Sequence, residues 1–414
     1  MLSQELRAAS QIVALVGLVF SFLMLIPWVA SVFTGWAGGE PFLWSGLTSG
    51  LVCSLVMVAG WGDKPRVSTR FGVIVVNMLW WILPLICAIP LMNANENFSF
   101  VDSLFEATSG LTTTGSTIVT NIVDQSRPVL LWRAIMQWVG GLGILSLGLI
   151  LLPFLRVGGM QLFRMESSDR SEKPLPRLIE ISRSIIIIYL VLSVLCSIGY
   201  LSVGMAPFDA LTHAMTTVST GGFSTHDESL GFYEGWPVMW VAIIFMIAGA
   251  LPFNFFIAIF FARNLPRYDP QITVFITLIL IASGVVLFVD GWDNAEDFSD
   301  FSQYIFNVIS ILTTTGYASG NFMSYGGIGA TLFFFLIFIG GCAGSTSGGI
   351  KIYRFIVLSQ LIRTSLQELL YNRGVFLMRY GKQIVDKDVF RASMVMICCF
   401  FVFLAIFTVI LGSL

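Results

Sequence analysis

Ten long apolar stretches, separated by short polar segments, make up most of the hydrophobic pattern along the chain. A helix that crosses the hydrocarbon core of a bilayer needs roughly 20 apolar residues, and most of the stretches reach that length. The pattern therefore predicts an all-α protein that crosses a membrane many times. The predicted spans are 11–35, 42–60, 71–92, 129–155, 184–204, 237–262, 271–290, 328–343, 349–372 and 392–413.

The composition agrees with a membrane protein. Of the 414 residues, 56% are hydrophobic and 11% are charged, whereas soluble domains carry about 25% charged residues. This excludes a cytosolic enzyme, a nucleic-acid binder and a secreted disulfide scaffold. The formal net charge of −2 indicates no polyanionic partner. The six cysteines lie mostly in apolar runs without metal-ligand spacing, so we interpret them as packing residues.

The basic residues indicate how the chain is oriented. With the N-terminus in the cytoplasm, every lysine and arginine except Arg127 and Arg133 falls in a cytoplasmic segment, as the positive-inside rule expects. The outer segments are acidic, with Asp227, Glu228 and several carboxylates within 290–300. Two interpretations of this acidity stay open. Acidic residues are common on outer loops, or they line the entrance of a pathway and concentrate cations there.

Three outer segments repeat the same unusual pattern. They cover 102–115, 209–222 and 303–316, and they align without a gap when each is anchored on its last glycine. Each lies between two spans, and a helical part of about ten residues extends roughly 15 Å, half a bilayer. Backbone that follows such a half-helix needs partners in protein or water. Each repeat is therefore predicted to contain a span, a re-entrant half-helix, an extended loop and a second span.

A polar residue stands nine positions before each anchoring glycine. These residues are Glu106, His213 and Asn307. We expect Glu106, together with Asp102, to support the first half-helix rather than to bind an ion. For His213 two roles stay open, which are packing of the second half-helix and sensing of pH near the mouth.

The segment after each half-helix has the chemistry of a cation filter. A helix that enters from outside places the negative end of its dipole near the middle of the membrane. Glycine lets the following carbonyl oxygens turn toward an axis, where they can replace the hydration shell of an alkali cation. One such motif alone would indicate small-residue packing, but three copies favour a filter. The predicted filter residues are Thr112, Thr113, Thr114, Gly115, Thr220, Gly221, Gly222, Thr313, Thr314, Thr315 and Gly316.

A glycine-rich run at 340–351 interrupts the span that follows the third filter segment. It is not a phosphate-binding loop, because isoleucine rather than lysine follows the second glycine of its GxxxxG. Either it is a flexible kink, or it is a mobile loop below the filter that blocks the path, in which Lys351 repels cations. In the second case, serine and threonine hydroxyls would bond across the pore. The predicted loop residues are Gly344, Ser345, Thr346, Ser347, Gly348, Gly349 and Lys351.

Several motifs together resemble the Trk/Ktr/HKT superfamily of potassium transporters, most closely its bacterial TrkH/TrkG uptake subunits. The resemblance covers nearly the whole chain, and GGCAGST with a following lysine is specific. The motifs are TSGLTTTGST (108–117), QWVGGLGI (137–144), GGMQLFR (158–164), TGGFSTHD (220–227), LTTTGY (312–317) and GGCAGSTSGGIK (340–351).

The resemblance implies four non-identical repeats around one pore, preceded by two extra N-terminal helices, in the bacterial cytoplasmic (inner) membrane. It implies potassium uptake, with filter glycines at Gly115, Gly222 and Gly316 and a gating loop at 340–351. Potassium is the substrate, and no cofactor is implied. The implied partners are a second copy of the chain in a homodimer and cytosolic nucleotide-binding regulatory subunits of the TrkA type.

The resemblance also divides the chain into an N-terminal two-helix extension, three pore repeats and the beginning of a fourth. The second span of the third repeat is broken, and the fourth repeat is expected to hold its first span without a half-helix and filter glycine. The basic segments 156–183 and 351–391 are candidate docking surfaces for the regulatory subunits. The predicted boundaries are 1–62, 63–165, 166–265, 266–380 and 381–414.

The sequence leaves several functions open. The leading one is potassium uptake, either channel-like or by symport with sodium or protons. A sodium-selective relative is the first alternative; in plant members, serine at the first anchor accompanies sodium preference, so Gly115 favours potassium. A polytopic membrane enzyme would need clustered polar groups that a chain with two histidines does not offer. A non-conducting truncated product is the last alternative.

Overall fold

The computed structural model describes residues 2–60, 68–94, 98–155, 174–233, 235–261, 268–291, 297–320, 325–371, 374 and 376–413, except 382, 385 and 386. Four predicted features fall wholly or partly outside these residues. They are the motif at 158–164, the part 156–173 of the first basic segment, several positions within 372–386 of the second basic segment, and the acidic positions from 292 to 296.

Helices make up nearly all of the regular structure in the described residues. A small antiparallel hairpin pairs β1 (Arg379–Tyr380) with β2 (Gln383–Ile384). The predominance of helices in the described residues confirms the predicted all-α membrane fold. In chain order the helices are α1 (Leu2–Thr34), α2 (Glu40–Ala59), α3 (Thr69–Ala94), α4 (Phe100–Leu111), α5 (Arg127–Leu155), α6 (Pro174–Ser202), α7 (Pro207–Val218), α8 (Trp236–Ala250), α9 (Phe253–Phe260), α10 (Pro270–Val286), α11 (Phe298–Leu312), α12 (Gly326–Leu336), α13 (Ile352–Leu370) and α14 (Lys387–Gly412).

Six helices among the described residues are long and apolar enough to cross a bilayer. They are α1, α2, α3, α6, α10 and α14, and each coincides with a predicted span. The predicted span 129–155 corresponds to α5, which has 29 residues. The chain is therefore a multi-pass membrane protein.

The predicted span 237–262 is not one continuous helix. It is divided into α8 and α9, whose axes differ by 93°. The break falls at Leu251, which has extended torsions (φ −78°, ψ 153°), and at Pro252. Proline has no amide hydrogen to donate, and its ring pushes the preceding residue out of the helical region. The predicted span at 237–262 is therefore broken at these two residues.

The break in the third repeat is also larger than predicted. The helix α12 has 11 residues, or about 16 Å, and the chain then stays non-helical until Ile352. The helix α13 carries Arg354, Arg363 and Glu368 and is not among the described helices that are apolar enough to cross a membrane. By length and composition, α13 therefore does not support the predicted span at 349–372.

The N-terminal pair α1 and α2 packs through small residues and also contacts α3. The hydroxyl oxygens of Ser21 and Ser49 lie 2.9 Å apart. A Cβ added to Gly46 would lie 2.9 Å from the carbonyl oxygen of Ser21, so the two backbones approach closely. Small residues allow this kind of packing between helices in a membrane.

The short helices α4, α7 and α11 lie inside the bundle of spanning helices. The helix α4 packs between α3 and α5, while α7 contacts α5, α6 and α8. The helix α11 contacts α8, α10 and α12. Each half-helix is thus held by the spans on either side of it in sequence, which fixes where its C-terminal segment can lie.

Candidate ion pathway

The helices α4, α7 and α11 occupy the positions predicted for the three re-entrant half-helices. They have 12, 12 and 15 residues, or about 18–23 Å along the axis. At α4, Ser99 and Asp102 form a reciprocal capping box, and their hydrogen bonds lower the pKa of Asp102 below its ordinary value. At α11, the Asp297 carboxylate accepts the amides of Ser299 and Asp300. Asp102 therefore supports its half-helix, as expected.

All three half-helices end in the same backbone turn. The second residue after each helix has a positive φ, and the amide of the next residue donates to the carbonyl five positions earlier. This is the Schellman arrangement, in which the left-handed residue is usually glycine. The left-handed residues here are Thr113 (φ 53°), Thr220 (φ 51°) and Thr314 (φ 58°). The hydrogen bonds are Thr114–Ser109 (2.9 Å), Gly221–Thr216 (2.8 Å) and Thr315–Ser310 (2.9 Å).

A left-handed threonine is a strained feature. The conformation costs an L-residue about 1–2 kcal/mol, and for a β-branched residue it is a genuine outlier. Strain of this kind persists only where the surroundings impose it, and it concentrates at functional sites. Its appearance at the same position in three repeats indicates that the turn is needed to place the filter segment behind it.

The anchoring glycines bring the three filter segments together. Their φ values are 81° for Gly115, 80° for Gly222 and 82° for Gly316, a region that glycine enters without strain. A Cβ added to Gly115 would lie 2.2 Å from the carbonyl oxygen of Gly221. One added to Gly222 would lie 1.9 Å from that of Thr315. The first segment therefore contacts the second and the second contacts the third, with carbonyl oxygens at each contact.

Several predicted filter threonines use their hydroxyl groups to hold the turn. The hydroxyl oxygens of Thr112 and Thr114 lie 2.7 Å apart, and those of Thr313 and Thr315 lie 2.8 Å apart. Thr112 also donates to the carbonyl of Thr108, one turn back along α4. These hydroxyls therefore brace the backbone, and their part in ion binding stays a prediction.

The polar residue nine positions before each glycine fastens the chain that leaves the filter. Each side chain bonds a residue two or three positions after its glycine, so the half-helix and the outgoing segment of one repeat are tied together. This gives His213 a packing role, while its response to pH stays a prediction. The pairs are Glu106 with Thr117 (3.0 Å), His213 with Ser224 (3.0 Å) and Asn307 with Ser319 (3.2 Å).

Two residues that bond to the predicted filter segments or their half-helices were not singled out from the sequence. The amide of Gln137 on α5 donates to the Gly221 carbonyl (2.6 Å) and accepts the Phe223 amide (3.0 Å). The Tyr317 hydroxyl, just after the third glycine, lies 2.5 Å from the hydroxyl of Thr216 in the second repeat. Gln137 could have been identified from the sequence, because a polar residue inside an apolar span is a candidate functional residue.

The glycine-rich loop fills the break between α8 and α9. The amide of Thr346 donates to the Gly249 carbonyl (3.1 Å), and that of Cys342 donates to the Ala250 carbonyl (3.0 Å). In return, the Phe253 amide donates to the carbonyl of Gly344 (2.9 Å). The loop thus pairs backbone groups that the break in the helix leaves free.

The same loop packs against the chain at the C-terminal ends of α7 and α11, where the second and third predicted filter segments begin. The Thr346 hydroxyl lies 3.1 Å from the carbonyl oxygen of Val218, at the end of α7. The Ser347 hydroxyl donates to the Thr313 carbonyl (2.8 Å). The amide of Gly348 donates to the Thr314 hydroxyl (2.6 Å). The loop therefore contacts both of the segments that carry Gly222 and Gly316, the second and third predicted filter glycines.

Other predicted loop residues stabilise the loop itself. The Ser345 hydroxyl donates to the carbonyl of Cys342 (2.6 Å), so the expectation that it bonds across the path is wrong. The Lys351 ammonium donates to the Ser347 carbonyl within the loop, and its repulsion of cations stays a prediction. Gly349 packs against Gly340, since an added Cβ would lie 3.0 Å from the Gly340 Cα.

The family is decided by a sequence comparison. Residues 51–413 match the family model of TrkH, described as a cation transport protein. The chain belongs to the TrkH family. Members of this family are transporters, so the chain is a transport protein and not an enzyme. The resemblance seen in the sequence motifs is thereby confirmed.

Individual TrkH-family relatives match over nearly the whole chain. The Trk system potassium uptake protein TrkI of Halomonas elongata is 36% identical, over 97% of this chain and 82% of its own. TrkH of Vibrio parahaemolyticus is 31% identical, over 94% of this chain and 82% of its own. The crystal structure of the potassium transporter TrkH from Vibrio parahaemolyticus superposes with a TM-score of 0.86 at 29% identity, covering 94% of this chain and 81% of that one.

Proposed function

We propose that this TrkH-family protein carries potassium into the cell across the bacterial cytoplasmic membrane. One observation carries the proposal, which is the same strained turn at Thr113, Thr220 and Thr314, each two residues before a glycine. The three segments meet through carbonyl oxygens, and such oxygens replace the water around an alkali cation. Relatives named as potassium uptake proteins support the choice of ion.

We propose further that the loop at 340–351 is the gate of this pathway. Its docking against the second and third predicted filter segments supports this role, since Thr346 and Ser347 are 0% and 2% exposed and bond Val218 and Thr313. Hydrogen bonds between neutral groups contribute about 1 kcal/mol each. A few such bonds close the path, while a modest change elsewhere in the protein is enough to release the loop.

The repeat boundaries predicted from the sequence are part of the proposal, with one half-helix in each of 63–165, 166–265 and 266–380. The N-terminus is placed in the cytoplasm, which the positive-inside distribution supports. On that orientation α13 faces the cytoplasm. Its exposed apolar side chains Leu366, Leu369 and Leu370 support contact with another protein. We assign this surface to a second copy in a homodimer or to TrkA-type regulatory subunits.

Growth of a potassium-uptake-deficient bacterium tests the proposed function. Expression of the chain is expected to restore growth in medium low in potassium, because selective uptake lets the cell concentrate the ion. The control is the same strain with the empty vector, and membrane fractions confirm that the protein is made. Potassium-depleted cells should take up rubidium in preference to sodium. Absence of growth despite protein in the membrane contradicts the proposal, and preferential sodium uptake favours a sodium-selective relative.

A further inference from the structure

An ion pair lies buried behind the filter. The guanidinium of Arg133 on α5 and the carboxylate of Glu106 on α4 are 2.7 Å apart, between Nε and Oε1. The side chains are 1% and 0% exposed. Burying two charges is costly even when they are paired, so a buried pair is weak evidence for stability alone. The remaining contacts of the pair point to a role other than stability.

The remaining donors of Arg133 reach two different repeats. Its Nη2 donates to the hydroxyl of Thr117 (3.2 Å), two residues after the first filter glycine. Its Nη1 donates to the carbonyl of Ser224 (3.1 Å), two residues after the second. Its Cζ also lies 4.2 Å from the centroid of the Phe223 ring. One rigid planar group therefore joins the chains that leave the first and second filters.

The carboxylate of Glu106 completes the arrangement within the first repeat. The Thr117 hydroxyl lies 3.0 and 3.1 Å from its two oxygens, and the amide of Ile118 donates to Oε2 (3.4 Å). Glu106, Arg133 and Thr117 thus form a closed set of hydrogen bonds. The carboxylate also balances the guanidinium charge, so the arginine does not oppose cations in the mouth.

We propose that Arg133, held by Glu106, is a positioning residue that sets the spacing between the first and second filter segments and so determines selectivity between potassium and sodium. The inference rests on the proposed function. The spacing matters because Gly115 and Gly221 meet at a backbone contact. The number and placement of carbonyl dipoles govern which alkali cation a filter favours.

The Arg133→Lys variant distinguishes a role for the hydrogen-bonding geometry of Arg133 from a role for its positive charge alone. Lysine keeps the positive charge and can still pair with Glu106, but its ammonium is a point charge without the fork that reaches Thr117 and Ser224 together. If Arg133 only balances the charge of Glu106, R133K is expected to keep the parental ratio of rubidium to sodium uptake. If the guanidinium instead positions the two segments through Thr117 and Ser224, the ratio of rubidium to sodium uptake is expected to fall about tenfold in R133K. This is the loss expected for one charged hydrogen bond.

The matched control is Arg127→Lys, on the same helix six residues earlier. Arg127 is exposed, and its Cζ lies 5.4 and 5.5 Å from the ring centroids of Trp36 and Phe208. Thr117→Val is the second test variant, because it removes the hydroxyl that bonds both Arg133 and Glu106 while keeping the side-chain volume. It replaces R133K if that variant does not reach the membrane.

Uptake of rubidium and sodium is measured in proteoliposomes with equal amounts of each protein. A fall of the ratio in R133K with a parental ratio in R127K supports the inference. A parental ratio in R133K, or an equal fall in R127K, overturns the inference and leaves the proposed function intact. Stabilisation of the detergent-purified protein by potassium over sodium gives a second readout. A parent that neither takes up rubidium nor is stabilised by potassium overturns both.

Discussion

Replacement of Gly222 by alanine is expected to lower potassium uptake by about 100-fold or more. At φ 80° an L-residue pays about 1–2 kcal/mol. The added Cβ would also stand 1.9 Å from the carbonyl oxygen of Thr315, so the second and third filter segments must move apart. A barrier raised by roughly 3 kcal/mol gives this loss, since each 1.4 kcal/mol is about a factor of ten in rate.

Rubidium uptake by potassium-depleted cells measures the effect of G222A, and immunoblots of membrane fractions correct for the amount of protein. The matched control is Gly284→Ala in α10. Among the described residues, no atom outside that helix's own nearby backbone lies within 4 Å of the added methyl group, and alanine is favoured over glycine inside a helix. Uptake by G222A within about threefold of the parent would show that this contact is not part of the ion path.

Replacement of Thr346 by valine is expected to raise the basal rubidium flux about tenfold or more. The threonine hydroxyl lies 3.1 Å from the Val218 carbonyl oxygen and 2.9 Å from that of Gly249. Valine keeps the shape but leaves these buried acceptors without the hydroxyl when the loop is docked. That costs about 1–3 kcal/mol, and it shifts the population toward the undocked loop, in which water reaches the carbonyls.

The flux is measured as rubidium efflux from proteoliposomes that contain the purified chain without regulatory subunits. The control is Thr331→Val in α12, whose exposed hydroxyl donates to the Gly327 carbonyl within its own helix. T331V should keep the parental flux. Parental or reduced flux in T346V would mean that the docked loop does not hold the path closed.

The location of the filter could be predicted from the sequence because its pattern is local and repeated. Three gapless copies placed Gly115, Gly222 and Gly316 after half-helices that are too short to cross a bilayer. A chain of that length must be buried in protein or line water, and glycine suits a turn that other residues resist. The structure gives all three glycines φ values between 80° and 82°.

The rest of the site depends on contacts between distant parts of the chain. Propensity favours glycine at a left-handed helix terminus, so nothing in the sequence distinguished Thr113 as the strained residue. Pro252 was visible, but a helix in a membrane tolerates proline when neighbours satisfy the freed groups. Those neighbours are in the loop near Gly344, far along the chain. The partners of Arg133 likewise lie on other helices and in another repeat.

Anomalous diffraction from crystals soaked in thallium(I), which substitutes for potassium, tests the central claim most directly. We expect a thallium peak on the axis enclosed by the backbone carbonyls of 112–115, 220–222 and 313–316. Potassium should displace it, and an equal concentration of sodium should not. Thallium peaks that lie only outside these three segments, in a protein that takes up rubidium, would contradict the assignment of the filter.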